Sequence, residues 1–121
     1  MILVDTSVWI DHFRGTLPAL VQQLEDGEVI LHPFIVGEVA LGHLKKRDDT
    51  VSLLGELPAL AMADHADALE FVGDHGLAGT GIGWVDAHLL CAASRVGVPI
   101  WTHDRSLRTQ AMRLGLLHLA V

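Results

Sequence analysis

Short runs of almost wholly apolar residues, each closed by a residue that favours a helix start and separated from the next by helically spaced sequence, constrain this chain most. Ile2-Leu3-Val4 stops at Asp5-Thr6-Ser7, Val29-Ile30-Leu31 at His32-Pro33, and Pro99-Ile100-Trp101-Thr102 runs into His103-Asp104. A closing strand is expected over Leu116 to Val121. Strands without polar alternation need cover on both faces, as in a parallel sheet wrapped by helices. The intervening segments supply that cover. A short helix is expected after Asp5-Thr6-Ser7 up to Gly15, another from Leu17 to Leu24 stopped by Gly27, and a third from Phe34 to Leu44 with Pro33 in its first turn. Asp49 to Leu57 and Asp64 to His75 follow, with Asp64 as N-cap and Gly76 as stop. Val85 to Val96 is apolar on nearly every side and predicts a deeply buried helix ending at Gly97, and Asp104 caps a last helix to Leu114. The fold class read from this order is α/β, doubly wound, as one domain over residues 1–121.

Charge narrows the function. Asp plus Glu number 15 against 8 Lys plus Arg, for a net charge of −7, the opposite of a basic nucleic-acid-binding domain. Half of the residues are hydrophobic, which excludes disorder, and the absence of Tyr makes the core aliphatic. Cys91 is alone, so neither an intramolecular disulfide nor a cysteine-based zinc site is available, and a reducing compartment fits. Only three apolar residues follow Met1 before Asp5, which leaves no signal peptide or membrane span to read there and points to the cytoplasm.

In a doubly wound sheet, ligands bind outside the carboxyl ends of the strands at the switch point. Asp5 directly follows the first strand and Asp104 the third, which puts both on one edge of the sheet. Glu38 and Asp86 stand out because their neighbours are apolar, and both are expected away from the surface. Taken singly, Asp5, Asp104 and Asp86 fit ordinary helix caps, and Glu38 fits a side chain snorkelling from the edge of an apolar face. Taken together, four carboxylates would repel and raise one another's pKa unless a divalent cation offset them. Oxygen-only ligation points to Mg²⁺ or Mn²⁺, and phosphodiester hydrolysis is the chemistry that uses such a cluster: the metal activates a water and offsets charge on the phosphate.

The segments Val4 to Asp11, the isolated Glu38, Gly83 to Leu90 and Trp101 to Leu107 resemble, in order, the four motifs of PIN-domain ribonucleases, in particular the VapC toxins of bacterial toxin–antitoxin modules. The resemblance runs from Ile2 to about Leu116. It implies a Mg²⁺-dependent endoribonuclease with Asp5, Glu38, Asp86 and Asp104 as the catalytic, metal-binding acids and Ser7 and Thr102 as hydrogen-bonding support. It also implies inhibition by a VapB antitoxin, a homodimer, and transfer RNA as substrate. Two divalent ions in the cluster would bring the net charge from −7 to roughly −3.

Other features are better read plainly. Eight histidines include no His-Glu-x-x-His, so surface and hydrogen-bonding roles are expected, with His103 the one nearest the site. Gly79-Thr80-Gly81-Ile82-Gly83 lacks the glycine spacing of a dinucleotide loop and the Gly-Lys-Ser/Thr ending of a P-loop, and is read as a tight turn that presents Asp86. Asp11 is expected to be solvated and Cys91 to be a small core residue. Arg105 and Arg108, with the run Lys45-Lys46-Arg47 as a second contact, are the cations placed to meet RNA phosphates; otherwise they are solvated surface. Trp9, Trp84 and Trp101 sit in apolar sequence, against a base-stacking platform. A receiver-type phospho-switch would need a lysine after a late strand, and none follows Lys46. A haloacid-dehalogenase-type phosphatase would need Asp where Ser7 stands, and a metal-dependent adhesion module would need Ser at Trp9. A PIN-like module that binds without cutting and a receiver-type phospho-switch stay open as the alternatives.

Overall fold

In the computed structural model, which describes residues 1–119, β1 (Ile2–Val4) is the middle strand of a three-stranded parallel sheet. It pairs on one side with β2 (Val29–Ile30), in the register Ile2 to Val29, and on the other with β3 (Ile100–Trp101), in the register Leu3 to Ile100. All three residues of β1 are buried, as strands without polar alternation require. Single bridges, Leu31 to Ala59 and Ile100 to Leu117, widen the sheet at its two edges. The central place of β1 makes its carboxyl end, beside that of β3, the point where the winding reverses.

The connections are helical: α1 (Thr6–Arg14), α2 (Pro18–Glu25), α3 (Pro33–Leu41), α4 (Arg47–Gly55), α5 (His65–Asp74), α6 (Trp84–Val96) and α7 (Arg105–Arg113). Their buried faces meet the sheet in one aliphatic cluster that includes Leu3, Val8, Leu20, Ile35, Leu89, Leu90 and Leu107. α6 is the central helix, with every residue from Ala87 to Ala93 buried. It is not apolar throughout: its last turn emerges to solvent, where Arg95 pairs with Asp67 of α5 at 2.8 Å. Gly97 closes it at φ 71°, a left-handed conformation that glycine adopts without strain.

Several boundaries differ from expectation. The helix predicted to Leu44 ends at Leu41, because Gly42 turns out of the helix and the Arg47 side chain donates to the freed Ala40 carbonyl at 2.7 Å. That leaves Leu44 to Lys46 as an irregular connection, and α4 starts earlier than expected, at Arg47. Asp64 occupies the N-cap position of α5, but its side chain makes no capping bond. The closing strand is one bridge at Leu117, held by Ile100 N–H to Leu116 and His118 N–H to Ile100; its residues 120 and 121 lie outside the described part.

Candidate active site

Asp5 leaves β1 in extended backbone and starts α1, so its side chain lies at the switch point. It is 5% exposed, and one carboxylate oxygen carries its anchoring. Asp5 Oδ2 accepts from Ser7 Oγ at 2.7 Å and from Thr102 Oγ1 at 2.8 Å. Those hydroxyls are fixed in turn as acceptors: the His103 N–H donates to Ser7 at 2.9 Å and the Asp104 N–H to Thr102 at 3.0 Å. Both hydroxyl protons therefore point at Asp5, and the 3.3 Å approach of Ser7 to Thr102 is a by-product of that geometry. Asp5 Oδ1 has no partner within the described residues. The expected supporting roles of Ser7 and Thr102 thus have a definite geometry: they orient one oxygen and leave the other free.

The other three carboxylates are linked to Asp5 through Asp86, which lies within electrostatic reach of them all. Asp86 lies in the first turn of α6, and burial together with the charges of Asp5, Asp104 and Glu38 pushes its pKa up to about 6; the backbone N–H of Gly83 offsets part of this. Asp5, Asp104 and Glu38 therefore all act on Asp86. Asp86 is not the helix cap, since Gly83 holds that position. Asp104 is: its Oδ2 accepts from the Leu107 N–H at 2.8 Å, so the ordinary capping role and membership of the cluster coexist. Glu38 accepts from Thr6 Oγ1 at 2.9 Å. Contrary to the expectation that it lies away from the surface, Glu38 is exposed, because α3 presents this face at the rim of the site; Asp86 is half-buried.

The donor set is all oxygen, which suits a hard divalent cation. Among the described residues no three His, Cys, Asp or Glu side chains stand close enough to enclose one ion. A hard ion such as Mg²⁺ usually keeps several waters and is bound through one or two carboxylates.

Several neighbours were not legible in the sequence. Thr6, which tethers Glu38, lies 32 residues from it. Asp11 is not merely solvated; it pairs with His103 Nδ1 on the rim. Trp9 and Trp101 are buried, but Trp84 is 39% exposed, packing edge-on against His88, so apolar flanking sequence misplaced it. Two histidines are buried with an unpartnered nitrogen, His32 Nε2 and His88 Nδ1. His32 caps α3 by accepting from the Phe34 N–H at 3.0 Å, a role that no His-based motif would have flagged. Arg105 and Arg108 are exposed on α7 beyond Asp104. The turn over residues 79–83 holds Gly79 at φ 74° and Gly81 at φ 89°, the left-handed conformations that deliver the chain to α6.

A short parallel sheet with acids converging beyond its central strands defines a known class. The profile of the PIN domain matches residues 2–111, and the chain belongs to that family. Within it the sequence is of the VapC ribonuclease type. It is 42% identical over 117 residues to Ribonuclease VapC32 of Mycobacterium tuberculosis, in both strain CDC 1551 and strain H37Rv, covering 96% of this chain and 94% of the relative. Two crystal structures share the fold: PAE2754 from Pyrobaculum aerophilum, at a TM-score of 0.66 and 14% identity, and FitAcB from Neisseria gonorrhoeae, at 0.62 and 21%. Each alignment covers at least 93% of both chains. No helix among the described residues is long and apolar enough to cross a membrane.

Proposed function

We propose that this chain is the toxin of a toxin–antitoxin pair, a Mg²⁺-dependent endoribonuclease (Mn²⁺ serving as well) whose acids are Asp5, Glu38, Asp86 and Asp104. Transfer RNA is the substrate we assign to it, a VapB-type antitoxin its inhibitor, and a homodimer its working form. The observation that carries this reading is a chain of the PIN family, 42% identical to Ribonuclease VapC32, that sets Asp5 and Asp104 beyond the carboxyl ends of neighbouring parallel strands, with Asp86 within electrostatic reach of both and of Glu38. A cluster of that kind is costly to the apo protein and useful to one that binds a divalent cation.

Asp5 and Asp86 would hold the ion, with Glu38 and Asp104 completing the shell directly or through water. Bound there, a divalent cation supplies positive charge that acidifies water and offsets charge on the scissile phosphate. The chain's own part is orientation. Ser7 and Thr102 hold Asp5 Oδ2, which leaves Oδ1 available to the ion without reorganisation of the side chain. In the cation-free protein burial and the neighbouring acids hold the Asp86 carboxyl above the ordinary carboxylate range, and a divalent cation would relieve that repulsion. Thr6 keeps Glu38 at the rim. Arg105 and Arg108, exposed beyond Asp104, receive phosphates on that side.

The test is cleavage of transfer RNA and of unrelated structured RNA by the purified chain, with Mg²⁺ or with EDTA, beside an Asp5→Asn variant whose fold is checked by circular dichroism. Products with 5′-phosphate and 3′-hydroxyl ends, lost in EDTA and in the variant, are expected. Cleavage that persists in either would overturn the mechanism, and absence of any cleavage would leave a binding module.

A further inference from the structure

A cleft of about 680 Å³ opens between the C-terminal half of α1, the end of α3 and the irregular connection into α4. Its size falls in the range of about 300–1,000 Å³ typical of small-ligand pockets. Three kinds of surface meet in it. Ile10, Val39 and Leu44 make an apolar floor, and Phe13, 38% exposed, adds a flat ring. Arg14, Lys45 and Lys46 supply positive charge. Glu38, already placed at the rim of the carboxylate site, forms one end.

The charge is unusual for this molecule. Of its eight Lys and Arg residues, Arg47 is held by Asp48 and the Ala40 carbonyl, Arg95 by Asp67, and Arg113 by Gln110 and the His75 carbonyl. The side chains of the other five make no hydrogen bond or ion pair among the described residues, and three of those five line this one cleft. An acidic protein that concentrates its uncommitted cations over an apolar floor is suited to an occupant with anionic edges and a flat, apolar face. A nucleotide has both, since every base offers a face for stacking and every linkage a charge. Continuity with Glu38 selects the strand being cut over a separate ligand.

We propose that this cleft is a nucleotide subsite of the ribonuclease, seating a base of single-stranded RNA against Phe13 and Ile10 and the adjoining phosphates on Arg14, Lys45 and Lys46, next to the bond to be cut. The inference rests on the ribonuclease reading and assigns the substrate its track: from this cleft, past Glu38, to the carboxylates.

The test uses the full chain on single-stranded RNA with Mg²⁺, comparing the wild type with a Lys45→Gln/Lys46→Gln double variant and with Phe13→Leu, which keeps bulk against Trp9 but removes the flat ring. Each phosphate contact with a single strand contributes about 0.7 to the slope of log affinity against log salt. The double variant is therefore expected to raise KM, to flatten the salt dependence of KM by about 1.4 in that slope, and to leave kcat at saturation unchanged. Phe13→Leu is expected to shift the preferred cut sites and to leave the salt slope as it was. Wild-type cleavage with KM, salt slope and cut sites unaltered in both variants would overturn the subsite while leaving the ribonuclease reading intact. The same would follow if the variants lost only their grip on a protein antitoxin. A wild type that cuts no RNA would remove both.

Discussion

The hydroxyl of Thr102 donates to Asp5 Oδ2 at 2.8 Å across 97 residues of sequence, joining the carboxyl end of the third strand to that of the first. Thr102 also accepts from the Asp104 N–H, so one fully buried side chain fixes both Asp5 and the turn that carries Asp104. Ser7 repeats the device from the other side, between Asp5 and the His103 N–H.

Thr102→Val keeps the shape of the side chain but removes donor and acceptor together. Leaving a buried carboxylate oxygen and a backbone N–H short of a partner costs about 1–3 kcal/mol. The midpoint of denaturant unfolding should fall accordingly with an unchanged slope, and RNA cleavage should drop with it. Thr102→Ser should restore most of both; failure of Ser to rescue would assign the effect to packing.

Asp86 sets stability against function. Its native pKa is about 6 against an ordinary value of 3.8, so between those values the folded state binds more protons than the unfolded. Its ionisation therefore weakens the cation-free protein as pH rises through that window, and the penalty is complete above about pH 6. Asp86→Asn should raise the Tm of the EDTA-treated protein at pH 7.5, with the gain shrinking towards zero by about pH 4. The same variant should lose cleavage, and Mg²⁺ is expected to raise the Tm of the wild type but not that of the variant. Thermal melts across pH, with and without the cation, read both.

His32 works in the opposite direction on acidification. Burial, and after it the nearby His88, lower its pKa from 6.5 to about 4. The unfolded chain takes up this proton first, so the stability it contributes is complete above pH 6.5 and is lost as pH falls through about 4. His32→Asn retains an acceptor for the Phe34 N–H but cannot be protonated. Its Tm should fall less steeply between pH 6.5 and 4 than the wild type's, even though the smaller side chain lowers Tm at neutral pH.

Thr6→Val removes the tether of Glu38, an exposed bond at 2.9 Å. Stability should change by no more than about 0.5 kcal/mol, as for most surface substitutions. The Mg²⁺ concentration giving half-maximal cleavage should rise, because Glu38 must then be ordered at the moment of binding. An unchanged Mg²⁺ dependence would show that Glu38 acts without this constraint.

Much of the fold was legible because local rules decide it. Apolar runs such as Ile2–Val4 have one solution, a strand covered on both faces, and Gly97 and Asp104 mark helix ends by backbone freedom and capping geometry that need no distant partner. The placement of Asp5 and Asp104 on one sheet edge follows from parallel strands alone. Burial was less legible. Glu38 sits in apolar sequence and is exposed, and Trp84 likewise, because the flanking residues report the mean environment of a helix and not which face it turns outward.

The sequence by itself determined a doubly wound α/β chain with four acids in the order and setting of a PIN domain, since strand burial, capping and motif order are all written in neighbouring residues. Only the tertiary structure decided which oxygen of Asp5 is free, that Thr6 holds Glu38, and that Arg14 joins Lys45 and Lys46 over one cleft. Those relations join residues tens of positions apart. They arise when the aliphatic core packs the helices against the sheet in a single arrangement, and that packing carries the polar side chains on its surface to their partners.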